Sequence, residues 1–228
     1  YTLLPSSKGI ANSSSDYLLS YRQLNSISKY KVAVDLNGFI NAYPEKYEGI
    51  ENIVIVDDFC GSGESLKSFV LNHNDIIRGK HIYYLITYFM EESMTTIDEI
   101  SSQYEVAIDI IFINCGKKAF DDKQYFGKED ALRSQIKEYS KEIGIPKQYR
   151  LGKFKSESLV SFYNDTPNNT IGLFWFDSDN YFSIFPREFE NTEGLKRPTP
   201  QTLKLQKAAR NAQNYCSAAR KAHHDSIS

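Results

Sequence analysis

Short apolar runs alternate along the chain with stretches of helical spacing. Residues 53–56, Ile-Val-Ile-Val, are continuously apolar, as expected of a strand covered on both faces. Residues 82–89 and 106–113 are two further runs rich in β-branched and aromatic residues, and predict strands. Residues 65–72 and 93–104 lie between these runs and carry a helical pattern. Upstream, residues 1–4 read as the start of a core strand. Residues 16–27 read as a helix, with Tyr17, Leu18, Tyr21, Leu24 and Ile27 near helical spacing and Ser14 or Ser15 as its cap. Residues 31–35 read as a short strand. Residues 37–47, with Gly38 and Pro44, read as a loop. Strands alternating with helices predict an α/β fold with a mostly parallel sheet flanked by helices.

Composition changes this picture little. The 228 residues suit one medium domain with a small appendage, and 41% hydrophobic content is enough for a core. No apolar run approaches 18 residues, so no membrane span is expected. The chain opens on Tyr1 rather than Met, and residues 1–4 already read as a strand, so the expectation is that an N-terminal portion precedes it. Cys60, Cys115 and Cys216 are odd in number and widely spaced, which argues against a disulfide framework or a zinc site. A reducing cytoplasm is the expected setting. His73, His81, His223 and His224 have no ligand spacing.

The net charge of −2 excludes a strong overall field for nucleic acid. Its distribution is uneven. Residues 196–228 hold seven basic residues against Asp225, a net +6, which leaves −8 for the rest. This basic tail suits either a solvated helix or contact with nucleic acid or an acidic partner.

The chemistry concentrates in NIVIVDDFCGSGESLKSFV, residues 52–70. An apolar strand runs into Asp57 and Asp58, and the small-residue turn Gly61, Ser62, Gly63, Glu64, Ser65 leads into a helix. In an open α/β sheet the ligand sits beyond the carboxyl ends of the strands. Glycines allow close backbone approach, and a helix N-terminus favours an anion. The turn suits a phosphate. The carboxylates suit vicinal hydroxyls or a hydrated Mg²⁺. A phosphorylated sugar satisfies both. The plainer alternative is a polar strand end and a Gly-Ser turn, with an Asp capping the helix.

This block resembles the phosphoribosyl-pyrophosphate (PRPP) motif of type I phosphoribosyltransferases: an apolar strand, two acidic residues, a few variable positions, then Thr/Ser-Gly-X-Thr/Ser, here Ser62-Gly63-Glu64-Ser65. The rest of the order fits. Ser6, Ser7, Lys8 and Gly9 stand where that family places its pyrophosphate loop, and residues 37–47 where it has a mobile catalytic loop. The segment LVSFYNDTPNNTIGLFWFDSDNYFSIFPR, residues 159–187, is similar to the signature of the phosphoribosyltransferase-like family with a C-terminal extension, found in bacterial conflict systems. The resemblance implies a type I phosphoribosyltransferase-like core over 1–116, an α+β extension over 117–195 and the basic tail over 196–228.

By the same resemblance, Asp57 and Asp58 are the catalytic pair and residues 61–65 hold the 5′-phosphate. Residues 6–9 hold pyrophosphate, with Mg²⁺ bound mainly through the ligand. Some members of this group accompany retron reverse transcriptases in phage defence. The resemblance therefore implies an antiphage effector acting on PRPP, a nucleotide or a base. Its implied partners are a reverse transcriptase with its RNA/DNA product, or another defence-cassette protein. The alternatives are a non-catalytic PRPP or nucleotide sensor and a structural subunit.

Two departures count against ordinary base salvage. Glu64 puts a carboxylate in the phosphate turn. No Lys or Arg lies between Val32 and Pro44, where a cation would hold departing pyrophosphate; Lys46 is the nearest. Among the remaining candidates, Asn168 and Asn169 suit base or partner recognition, or turn chemistry. Arg187 suits an anion clamp or a surface ion pair. Phe174, Trp175 and Phe176 suit the core, with a stacking platform as the alternative. Cys60 reads as a small loop residue rather than a nucleophile.

Overall fold

The computed structural model describes residues 1–4, 13–126, 130–163, 165–178 and 181–187. Ser6, Ser7, Lys8, Gly9 and the basic tail 196–228 lie outside the described residues.

The element order begins with α1 (Ser13–Leu24), α2 (Leu36–Ala42) and α3 (Pro44–Glu48). Strand β1 (Asn52–Cys60), α4 (Glu64–Ile77), β2 (His81–Met90), α5 (Ser93–Tyr104) and β3 (Ala107–Gly116) follow, and α6 (Asp130–Glu142) lies in the extension. The three strands form a parallel sheet in the order β1-β2-β3. Isolated parallel bridges widen it on the other side. Thr2 pairs with Ile55 and with Ala33, so β1 has neighbours on both edges. The alternation read in the sequence is the parallel α/β sheet seen here.

Both faces of β1 are covered, as its unbroken apolar run requires. On one face Ile53 and Ile55 pack with Ile82, Tyr84 and Ile86 of β2 against the apolar stripe of α4. That stripe is Leu66, Phe69, Val70 and Ile77, spaced to lie along one side of a helix. On the other face Val56 packs with Leu3 and with Leu18 of α1. Each fully buried side chain of this size contributes about 1.5–3 kcal/mol. β3 is the outer strand, and Ile111, Phe112 and Ile113 are exposed there.

Three segments differ from the sequence reading. Residues 31–35 form no continuous strand. A 3-10 turn covers Lys29–Lys31, and pairing is confined to the bridge at Ala33. Residues 37–47 are not a loop but mostly the two short helices α2 and α3, with Pro44 at the first position of α3, where its missing N–H costs nothing. Tyr47 anchors this region, buried against the core with its hydroxyl donating to Ile76 O at 2.8 Å. Finally, β1 continues four residues beyond Val56. The two aspartates therefore sit within the strand, and Cys60 is a buried strand end rather than a loop residue.

The described part of the extension packs by small clusters rather than by a sheet. Ala119, Phe120 and Ile171 form one, with Leu132 and Ile136 of α6 against it. Ile145, Trp175 and Phe176 form another. Among the described residues its β pairing is limited to the bridges Ser158–Thr170 and Ser178–Tyr181. Glu157 is buried and ion-paired to Arg133 of α6, Nε to Oε1 at 3.0 Å, and its backbone carbonyl accepts from Ala119 N.

Candidate functional site

Asp57 and Asp58 are 5% and 7% exposed, an unusual degree of burial for adjacent carboxylates. Three donors hold Asp57. Its Oδ1 accepts from Ser14 Oγ at 2.6 Å and from the Asp58 backbone N–H at 3.0 Å. Its Oδ2 accepts from the Tyr84 hydroxyl at 2.7 Å. Burial pushes the Asp57 carboxyl up to about 8. The adjacent Asp58, both as a like charge and as a partner hydrogen-bonded to the proton-bearing form, pushes the same way, against the pull of Ser14 and Tyr84. Burial and the neighbouring Asp58 therefore favour the protonated form of Asp57. Burial, with the Asp57 charge second, likewise raises Tyr84 well above the usual phenol range.

The turn after β1 follows from its glycines. Gly63 has φ +78°, in the left-handed region, and a Cβ there would stand 3.0 Å from Thr96 Cβ. Gly63 is also the cap of α4, and no side chain caps that helix end. Glu64 is its first residue and Ser65 is exposed. Residues 61–65 thus present a turn and a helix N-terminus next to the acidic pair, as expected from the sequence. Glu64 lies in the first turn of α4, where a carboxylate favours the helix dipole, which gives it a structural reason to be there.

The extension closes over this edge. At Gly61 a Cβ would lie 2.3 Å from Asn169 Nδ2, so the glycine makes room for that amide. On the opposite flank the Phe162 ring meets Tyr17 of α1, centroids 6.0 Å apart. The Tyr17 phenol is pushed up to about 12 by burial first, then by the charges of Asp58 and Asp165. Phe162 and Asn169 of the extension thus meet α1 and the 61–65 turn respectively. Asn168 contributes its backbone carbonyl, which accepts from Lys153 N. Arg187 is engaged within the extension, 3.3 Å from Asp165 Oδ2 and over the Trp175 ring at 5.7 Å. Trp175 and Phe176 are buried core, and the indole N–H donates to Thr170 O at 2.7 Å. They are not a stacking platform.

A cavity of about 240 Å³ opens at the carboxyl ends of β2 and β3. Tyr88, Met90, Lys117, Tyr125, Leu159 and Ser161 are among its lining residues. Tyr88 links it to the acidic strand, since its ring stacks on Phe59, neighbour of Asp58, at 5.9 Å and 7° between planes.

Sequence reasoning missed Ser14, Tyr84 and Tyr88. Ser14 or Ser15 reads as a helix cap, whereas both lie inside α1 (Ser13–Leu24), and the two tyrosines look like ordinary strand residues. Nothing local to any of them signals a contact with residues 57–59. No cluster of three metal-ligating side chains occurs among the described residues. Two adjacent carboxylates with hard oxygens fit a magnesium ion held chiefly by a ligand's own oxygens.

A parallel sheet carrying paired carboxylates and a small-residue turn at the end of an inner strand defines a phosphoribosyltransferase-like protein. The family model PRTase-CE, a phosphoribosyltransferase with a C-terminal extension, matches residues 3–187, and the chain belongs to this family. Comparison with curated proteins gives no match, and comparison with solved structures gives none.

Proposed function

We propose that this protein binds a 5-phosphorylated ribose ligand, PRPP or a nucleotide, and transfers or releases the group at the ribose anomeric carbon. The observation that carries the reading is the buried Asp57–Asp58 pair, held by Ser14 and Tyr84 directly before the 61–65 turn. Burying two adjacent carboxyl groups costs stability, and a ligand that hydrogen-bonds both would offset the cost.

In this reading the ribose hydroxyls donate to the carboxyl oxygens, and the 5-phosphate accepts from backbone N–H groups of residues 61–65. Breaking the bond at the anomeric carbon leaves positive charge on the ring. The acidic pair favours that charge by fixed electrostatics, without a covalent intermediate. Ligand binding favours the charged form of Asp57, so its proton leaves as the ligand enters. The cavity beside Tyr88 is the place for a base or other acceptor, with room for one flat ring and Lys117 at its wall. Magnesium, when bound with the ligand, supplies charge neutralisation for the leaving phosphates.

The biological setting proposed is a cytoplasmic antiphage cassette of retron type. There the chain acts as the effector beside a reverse transcriptase and its RNA/DNA product, or beside another cassette protein. This part rests on the resemblance of residues 159–187. A second reading, a non-catalytic PRPP or nucleotide sensor, is favoured by the lack of any Lys or Arg between Val32 and Pro44.

The test is calorimetric titration of PRPP with magnesium into wild type and Asp57→Asn/Asp58→Asn, joined to metabolite profiling of cells expressing each with the neighbouring genes. Binding lost in the variant, with a nucleotide pool altered only by wild type, supports the enzyme. Binding without a metabolite change supports the sensor. Equal behaviour of the two proteins removes both.

A further inference from the structure

Accepting the phosphate-loop reading above, we propose that Asn169 of the extension forms the outer wall of the phosphate turn. Its amide donates to a phosphate seated at residues 61–65, and Lys153 supplies a cation beside it.

Asn169 is held in place with unusual care. Its backbone carbonyl accepts from Ser156 Oγ at 2.6 Å and from Ser158 N at 3.3 Å, and the preceding carbonyl, of Asn168, accepts from Lys153 N at 2.9 Å. Gly152 is required by the same contact, because a Cβ there would fall 1.9 Å from Asn169 O. The segment making these bonds is strained. Phe154, Lys155 and Glu157 all have φ between 50° and 57°, a region that non-glycine residues enter at a cost. Such strain persists only where surrounding structure over-determines it. Here the segment holds Asn169 and also seats Glu157 against Arg133.

Asn169 sets its amide against Gly61 of the turn. Nδ2 is the atom nearest the position a Gly61 Cβ would take, and its bond to Lys153 O is long, 3.4 Å. The N–H groups are thus weakly engaged and stand beside the turn at Gly61. An amide suits the place. It offers donors without adding charge to a region that already holds Asp57, Asp58 and Glu64.

Lys153 completes the argument through charge. Asn169 touches both Gly61 and the Lys153 carbonyl, so one side chain separates the lysine's backbone from the phosphate turn. Lys153 is exposed, makes no ion pair among the described residues, and rests over the Phe154 ring at 5.2 Å. A lysine so placed swings toward an arriving anion by side-chain rotation alone. The ligand class is a phosphate monoester or pyrophosphate on a sugar.

Calorimetry with ribose 5-phosphate, on the full chain at low and high salt, decides the matter, with ribose as the phosphate-free control. Asn169→Asp should weaken ribose 5-phosphate by about tenfold or more, because it replaces donors with a negative charge. Asn169→Ala should weaken it severalfold. Lys153→Met should weaken it and flatten the salt dependence. Ribose binding should not respond to any of the three. Thermal melts monitor folding, and Asn169→Ala and Lys153→Met carry the test should Asn169→Asp melt early. Ribose 5-phosphate binding that ignores the Asn169 variants but is abolished in Asp57→Asn/Asp58→Asn overturns this inference and leaves the site reading standing. Tighter binding in Asn169→Ala makes the residue a plug and also overturns it. A wild type that does not bind ribose 5-phosphate sinks both.

Discussion

Ser14 Oγ lies 2.6 Å from Asp57 Oδ1, which ties the first turn of α1 to the acidic strand. The serine comes from a run that looks like a cap, yet it donates to a buried carboxyl 43 residues away. This bond, with that of Tyr84, lets the paired carboxyls exist without a ligand.

Removing it should be costly. Ser14→Ala deletes one donor from a fully buried carboxyl, and a loss of about 1–3 kcal/mol is expected. Because the Ser14 bond draws the Asp57 carboxyl toward its charged form, the variant should hold the Asp57 proton more tightly and bind PRPP less well. Urea unfolding and calorimetry at one pH check both. Unchanged stability would mean that the bond contributes little.

Asp57→Asn/Asp58→Asn should keep the fold and lose ligand binding. An amide resembles a protonated carboxyl in shape and still accepts from Ser14. The pH dependence follows from the raised carboxyl. In the unfolded chain Asp57 titrates near 3.8 and in the native state near 8. Between those values the native state holds the extra proton, so stability is highest at low pH and falls as pH rises toward 8. Full burial makes this a larger effect than partly solvated charges would give. Melting temperatures from pH 5 to 8.5 should decline in wild type and flatten in the single variant Asp57→Asn. Parallel curves would contradict the raised Asp57 carboxyl.

Gly63→Val should destabilise the protein as well as weaken phosphate binding. The residue needs φ +78° and packs against Thr96, so the branched side chain meets strain and a steric contact together. A loss above about 2 kcal/mol is expected. A variant that melts like wild type would mean the turn is looser than described.

The two described cysteines should differ in reactivity. Cys60 is buried and its thiol is pushed up to about 11, chiefly by burial, whereas Cys115 is exposed. Alkylation at pH 8 followed by peptide mapping should label Cys115 and spare Cys60 until denaturant is added. Early labelling of Cys60 would show that the strand end opens readily.

The local pattern was enough to reveal the order of elements around the site. Apolar runs at 53–56, 82–89 and 106–113 separated by helical spacing point to a parallel layered sheet, because strands alternating with helices bury their apolar runs that way, the outer β3 least of all. The acidic pair and the turn at 61–65 were also legible, since glycine and adjacent carboxylates carry their physical consequences wherever they stand. Residues 37–47 misled because Gly38 and Pro44 signal breaks, while burial of Tyr47 against α4 stabilises short helices between those breaks. What only the tertiary structure decided was who meets the pair. Ser14 and Tyr84 reach Asp57 from 43 and 27 residues away and Asn169 reaches Gly61 from 108 residues away, brought there by packing of α1, β2 and the extension. A sequence reports the chemistry each residue can do. Long-range contacts, and the burial that raises the Asp57 carboxyl, are set by how whole elements pack, and no local pattern encodes that distance.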